Sequence, residues 1–252
     1  VLKGGLVLYA WCFPLRRPTR DIDFRAYVKN SEENLKEIIK EVCIYFVPDD
    51  GLTFHEETIQ VEVIMTSTDY KGVHVSFEAT LGKTKIPVLI DLGFTDQIIP
   101  ASLHLSFPVL FTGMGIHQLL GYPPEPIISE KFHAMVRLVE INSRWKDFYD
   151  IWLLCEQTNF QGSVLQEAIS ATFRQRETLI PSSLPVALSD EFARERQKQW
   201  QTFLAKNRLF TGNIENFIFV VERLRTFLMP PIEAIIAQRT YKKSWKAGQG
   251  WE

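Results

Sequence analysis

Cysteine is scarce in this sequence and forms no pattern. Cys12, Cys43 and Cys155 are the three present, far apart and each among apolar residues, with no Cys-x-x-Cys pair. That excludes a disulfide scaffold and a thiolate zinc site, and predicts buried free thiols in a reducing compartment, the cytoplasm. Long hydrophobic runs are missing too. No stretch approaches the ~18 apolar residues of a membrane span, so no membrane partner is expected. The opening "VLKGGLVLYAWCF" carries a single lysine and no small-residue cleavage site, which argues against a secretory signal. The chain starts at Val1 rather than Met, which leaves room for natural residues before it. There is no surplus of positive charge: 28 basic against 30 acidic side chains give a net charge of −2, so nucleic acid would need a local basic patch. Arg16, Arg17 and Arg20 offer one candidate patch, and Lys242, Lys243 and Lys246 another. Metal-ligand spacing is absent from the five histidines, His55, His74, His104, His117 and His133, which show neither His-x-His nor His-x-x-x-His. Structural roles are expected for all five.

What remains is an ordinary globular composition, 46% hydrophobic and 23% charged, long enough for one large domain or two modest ones. The apolar run "LVLYAWCF" after Gly4 and Gly5 is compatible with a short helix or a strand, and the glycines favour a helix that they would open. "RDIDFRAYV" alternates like a strand. "NSEENLKEIIKEVC" is a helix with Asn30 as cap, Glu33 reaching back, and Leu35, Ile38, Ile39 and Val42 as its apolar stripe. "TIQVEVIMT" and "VHVSFEATL" read as strands joined through "DYKG". "KIPVLIDLGF" is a further strand, where Pro87 predicts an edge position or a strand start, and "SFPVLF" is a short one. From "ISEKFHAMVRLVE" onward the pattern turns helical, with Ile128, Phe132, Met135 and Val139 on one face. "RWKDFYDIWLLC" and segments near 163–173, 190–206 and 213–228 continue it. The six tryptophans read as core or interface, and the tail "SWKAGQGWE" is compatible with a loose end or a docked segment. The switch near "YPPEPI" predicts an α+β chain, with a sheet-rich domain over 1–122 and a helical domain over 123–252.

Asp21 and Asp23 stand one residue apart on a strand, and so point to one face. An exposed strand face accounts for such a pair. So does a divalent cation, which relieves the repulsion between the carboxylates; hard oxygen donors of this kind favour magnesium completed by phosphates and water. Gly4 and Gly5, with Lys3 beside them, either punctuate the fold or present bare backbone N–H groups to a phosphate at a helix start. Asp91 ends the apolar run "IPVLID", where its charge needs a metal or a turn's N–H groups; Glu78 and Asp96 are weaker competitors. In the helical half, Asp147 and Asp150 share a helix face. Arg144 and Lys146 are spaced to pair with them as a salt-bridged surface helix. The functional alternative has Lys131 contacting phosphate and Asp147 or Asp150 orienting a basic group or acceptor.

Taken in order, "LKGGLVLYAWCFPLRRPTRDIDF", "VLIDLGFTD", "ISEKFHAMV" and "INSRWKDFYDIWLL" resemble the AbiEii/AbiGii toxin family of nucleotidyltransferases, which has the MenT toxins as relatives. The similarity spans about residues 1–180. It implies a polymerase-β-like nucleotidyltransferase core, a mixed or antiparallel sheet with flanking helices, followed by a helical C-terminal region. In that fold a serine normally follows the first glycine; Gly5 stands there in this chain, so backbone donors must serve. The resemblance implies that Asp21 and Asp23 form the metal-binding pair with Asp91 as the third carboxylate, and that Lys3, Gly4, Gly5 and Lys131 meet the nucleotide. It makes Lys131 and Asp147 the family's essential lysine and aspartate, with Asp150 as the fallback for the latter, and Asp91 the group that activates the acceptor hydroxyl. Mg2+ is the implied cofactor and a nucleoside triphosphate the implied substrate. The implied acceptor is a tRNA end or a protein hydroxyl, and a cognate antitoxin is the implied partner. The alternatives are a catalytically silent nucleotide- or partner-binding module on the same fold, and transfer to a small-molecule hydroxyl.

Overall fold

The computed structural model describes residues 1–12, 17–45, 50–65, 71–94, 98–109, 115–138, 143–209 and 212–252. Arg16, Asp96 and Val139, part of the "DYKG" turn and the end of "SFPVLF" lie outside the described residues. The fold is α+β, a mixed sheet followed by a helical region. The chain forms two compact units, each drawn from two stretches: Val1–Val7 with Thr19–Gln97, and Leu8–Pro18 with Ile98–Glu252.

The first unit is built on five strands, β1 (Leu2–Lys3), β2 (Asp21–Arg25), β3 (Leu52–Met65), β4 (Lys71–Leu81) and β5 (Thr84–Gly93), in the order β3-β4-β5-β2-β1. β2 runs parallel to β5, and the other pairs are antiparallel. Among the described residues this unit carries the helix α2 (Glu32–Ile44). Its cap is Ser31 rather than the expected Asn30: Ser31 is extended and its hydroxyl accepts from the Asn34 N–H at 3.4 Å. Leu35 and Ile39 are buried while Val42 is exposed, so the apolar stripe is narrower than its spacing implies. Those two residues join Val73, Val75, Phe77, Ile90 and Leu92 in the core, with Ile22, Phe24 and Val88 packed against it. Strand alternation sends every second residue of β2, β4 and β5 to the opposite face.

One expectation holds only locally here and another fails, each for a physical reason. Pro87 lies on β5, an interior strand. β2 joins β5 only over Leu89–Gly93, so Pro87 sits where β5 has a partner on one side only, and its missing N–H costs no second ladder. The glycines do not open a helix. Leu2–Lys3 pair with β2 as a short strand, Gly4 and Gly5 turn the chain, with Gly4 at φ +68°, and the helix α1 covers only Leu8–Trp11. A two-residue strand is too short to leave a periodic signal.

The second unit holds a hairpin of β6 (Leu103–Phe107) and β7 (His117–Gly121), and the helices α3 (Pro124–Leu138), α4 (Trp145–Gln157), α5 (Gly162–Gln175), α6 (Asp190–Asn207) and α7 (Phe217–Ile236). Ile128, Phe132 and Met135 are buried on one face of α3 as expected. α7 runs past the expected end near 228, through Pro230 and Pro231, because the buried Pro231, Ile232 and Ala234 continue its apolar face. The tail is docked rather than loose. β9 (Ser244–Lys246) pairs with β8 (Phe160–Gln161) and β10 (Gly250–Trp251). Trp245 is fully buried and donates to the Cys155 carbonyl at 2.7 Å, while Trp251 stacks on Phe227. Cys12 and Cys155 are buried and Cys43 half-buried, all free, and burial pushes the Cys12 thiol up to about 12. Among the described residues no helix is long and apolar enough to cross a membrane.

His133 fills a structural role, as expected. Arg176 Nη1 lies 3.1 Å from its Nδ1, and Thr178 Oγ1 lies 2.9 Å from its Nε2. Arginine can only donate, so Nδ1 accepts and the ring is neutral. Burial first, then Arg176 and Arg137, lower its pKa from 6.5 to about 4. Between those values the unfolded chain binds a proton that the folded chain refuses, so stability falls as the pH falls through this window. We expect His133→Gln to flatten the acid side of the stability curve. Wild type should lose about 1–2 kcal/mol more than the variant between pH 7 and pH 4.5, measured by denaturant unfolding; parallel curves would assign the acid sensitivity to other groups.

Candidate active site

In the first unit, the face of the sheet away from the apolar core carries a row of polar residues set by strand register. Lys3 pairs with Asp23, Asp23 with Asp91, Asp91 with His74, and His74 with Glu62. The row therefore crosses β1, β2, β5, β4 and β3 in turn. Residues paired across a ladder share a face, and Asp21 shares it with Asp23 by alternation. Asp21, Asp23 and Asp91 are half-buried, neither sealed in the core nor standing free in water.

Asp23 is positioned by what is missing opposite it. A Cβ on Gly4 would lie 1.9 Å from Asp23 Oδ2 and 2.4 Å from Asp23 Cγ, so the carboxylate occupies the space a side chain at position 4 would need. Glycine also accommodates the positive φ at no steric cost. Asp91 is held differently: its Oδ1 lies 2.7 Å from Nδ1 of His74, directly across the β4–β5 ladder. Glu78 pairs with Lys85 instead.

These residues fit a hard divalent cation by the chemistry of the set: three carboxylates on adjacent strands of one face, one of them cradled by a glycine. Among the described residues no group of three or more His, Cys, Asp or Glu side chains is gathered closely enough to hold a metal ion. Magnesium takes few protein ligands and fills the rest of its octahedron with phosphate and water.

The second unit contains a ladder of alternating charges. Lys131 Nζ on α3 lies 3.0 Å from Asp147 Oδ1 and 2.8 Å from Asp150 Oδ2, both on α4. Arg144 Nε lies 2.6 Å from Asp147 Oδ2. Arg17 grips Asp150 with two bonds of 2.6 Å, from Nε to Oδ1 and from Nη2 to Oδ2. Both aspartates are fully buried, so the expected surface salt-bridge helix is overturned. Its Lys146–Asp150 pair is absent as well, because Arg17 and Lys131 occupy both Asp150 oxygens and Lys146 is exposed. Arg17 likewise leaves the expected basic patch: it is buried against a carboxylate 133 residues away. Arg20 is exposed, as are Lys242, Lys243 and Lys246. Burial alone would lower the Lys131 pKa, but Asp147 and Asp150 outweigh it and hold the ammonium above the ordinary lysine range. Burial alone would raise Asp147, and Lys131 and Arg144 hold it below the ordinary carboxylate range.

A family model described as "Nucleotidyl transferase AbiEii toxin, Type IV TA system" matches residues 1–230. The chain belongs to this AbiEii family. Two solved structures from Helicobacter pylori, one described as a candidate nucleotidyltransferase and the other as JHP933, are each 14% identical to it with a TM-score of 0.48. The first alignment covers 93% of this chain and 88% of the other, the second 94% and 88%. No characterised protein matches by sequence.

Within this AbiEii-family chain the residues singled out from sequence fall into two sets. Lys3, Gly4, Gly5, Asp21, Asp23 and Asp91 belong to the first unit, and Lys131, Asp147 and Asp150 to the second. Three further polar partners take roles that sequence reasoning misses. Arg144 is visible three residues before Asp147, though only as a surface partner. His74 can be placed on the polar face by the alternation of "VHVSFE", but its partner depends on the β4–β5 register. Arg17 carries no signal for its buried role, since a basic residue before a proline reads as a solvated turn.

Proposed function

We propose that this AbiEii-family protein transfers a nucleoside monophosphate from a nucleoside triphosphate to an acceptor hydroxyl, with release of pyrophosphate and a requirement for a divalent cation. The observation that carries this reading is the register that sets Asp23 beside Asp91, with Asp21 on the same face. Asp21, Asp23 and Asp91 would hold Mg2+, which supplies charge neutralisation at the phosphates. Lys3 and the backbone N–H groups of the Gly4–Gly5 turn bind the triphosphate. Lys131 presents an ammonium that Asp147 and Asp150 keep charged, and it contacts phosphate. The acceptor oxygen attacks the α-phosphorus, its proton passes to the Asp91 carboxylate, and the bond between the α-phosphorus and the bridging oxygen breaks, leaving with pyrophosphate. Positioning and charge stabilisation carry the rate. We place the reaction in the cytoplasm, with a tRNA end or a protein hydroxyl as acceptor and a cognate antitoxin protein as partner, in keeping with the type IV toxin–antitoxin family.

The test uses the full chain with magnesium, each triphosphate labelled in turn at the α- or γ-phosphate, and tRNA, a protein extract or neither. Label from the α position should appear on a macromolecule, label from the γ position should not, and a chelator should abolish transfer. Asp21→Ala and Asp23→Ala are each expected to lower the rate by about 1000-fold, at the upper end of what one lost electrostatic group costs. Undiminished transfer in both variants removes the pair from the mechanism. Transfer only to small molecules would redefine the acceptor, and no transfer to any of them would leave a silent binding module.

A further inference from the structure

His74 sits where the metal reading leaves a gap. Asp91 lies on a different strand from Asp21 and Asp23, at an open sheet face, and a half-exposed carboxylate there rotates unless something fixes it. His74 is the Cα partner of Asp91 across β4–β5, and its Nδ1 meets Oδ1 at 2.7 Å. The backbone under His74 is itself fixed, since Val73 and Val75 on either side are buried in the core at 1% and 0% exposure. Both side chains of the pair are partly open, 28% for His74 and 41% for Asp91. A contact so exposed adds little to folding stability, but it settles which way the carboxylate faces. It engages Oδ1 and leaves Oδ2 for a cation.

We infer that His74 is a positioning residue: through Nδ1 it orients Asp91 so that this carboxylate joins Asp21 and Asp23 at the divalent cation. This rests on the metal reading proposed above. Carboxylates that ligate metals are commonly held by such outer hydrogen bonds, and losing one weakens metal affinity by about 10- to 100-fold. A role confined to tying β4 to β5 would appear in stability and not in metal affinity.

The experiment titrates Mn2+ alone into the full chain and follows the free-ion signal by electron paramagnetic resonance, with circular dichroism as the control for folding. His74→Val is expected to weaken Mn2+ binding by about 10-fold. His74→Asn, whose amide nitrogen takes the place of Nδ1, should recover most of the loss. Asp91→Asn weakens binding by itself, and adding His74→Val to it should cost nothing further, because the two act through one contact. Wild-type affinity in His74→Val while Asp23→Asn is weakened overturns the role of His74 and spares the metal site. So does an undiminished His74→Val effect in the Asp91→Asn background. Unchanged affinity in Asp23→Asn and Asp91→Asn alike removes the metal site itself, and the role of His74 with it.

Discussion

Gly4→Ala is expected to cut nucleotidyl transfer by about 100- to 1000-fold, as severely as losing the Asp23 carboxylate, while the second unit unfolds as in wild type. The added methyl would lie 1.9 Å from Asp23 Oδ2 and 2.7 Å from Asp23 Cβ, closer than any real contact, so the carboxylate must leave its place on the sheet face. The backbone strain of alanine at φ +68° adds about 1 kcal/mol and would act alone if no clash existed. Gly82 separates the two effects. It has φ +59° with nothing within 4 Å of where a Cβ would lie, so Gly82→Ala carries the strain without the collision and should keep full activity. All six tryptophans belong to the second unit, so their fluorescence reports its unfolding. Full activity in Gly4→Ala would show that transfer does not need Asp23 where the structure holds it.

The difference between Gly4 and Asp23 as sequence signals shows what is legible. A strand has a period of two, so "DID" places both aspartates on one face by alternation alone. The helices of the second half are equally plain in type, because apolar spacing over a dozen residues sets it, but α4 buries an acidic face that the same spacing leaves at the surface. Contacts that close over long separations leave no such trace. The parallel pairing that sets Asp91 beside Asp23 depends on which strands become neighbours, and no local pattern encodes that. The register that faces His74 toward Asp91 is set nearer by, across the hairpin that closes at Leu81 and Thr84, but it depends on the exact turn. Gly4 stands out in the sequence for the wrong reason: its importance lies in the room it leaves for Asp23, not in the start of a helix. Arg17 misleads because a charged residue in a turn is usually solvated, and only the fold reveals the buried carboxylate that receives it.

That buried carboxylate supports the last expectation. Asp150→Ala should destabilise the second unit by about 3–5 kcal/mol, lowering its unfolding midpoint by roughly 10–15 °C, while Asp147→Ala should cost only about 1–2 kcal/mol. Removing Asp150 strands two cations: Arg17 loses both of its short bonds, and Lys131 loses one of its two counter-charges in a setting where water cannot replace them. Asp147 also meets Lys131, but its other partner, Arg144, is 48% exposed and can be hydrated when the carboxylate goes, while Lys131 keeps Asp150. The comparison belongs near pH 7. Asp147, held below 3.8, contributes stability that is lost only as the pH falls through its lowered value, and Lys131, held above 10.5, contributes stability lost only as the pH rises through its raised one, so neither of these two changes charge near pH 7. Tryptophan fluorescence during thermal and denaturant unfolding gives the two costs, and the transfer assay on the folded variants gives their effect on the reaction. With Asp147→Ala folded but inactive, and Asp150→Ala failing first in stability, Asp150 is the anchor of the ladder and Asp147 the member that acts in transfer. Equal stability losses would mean that the exposed Arg144 holds Asp147 as firmly as the buried Arg17 holds Asp150, and the division between them would be gone.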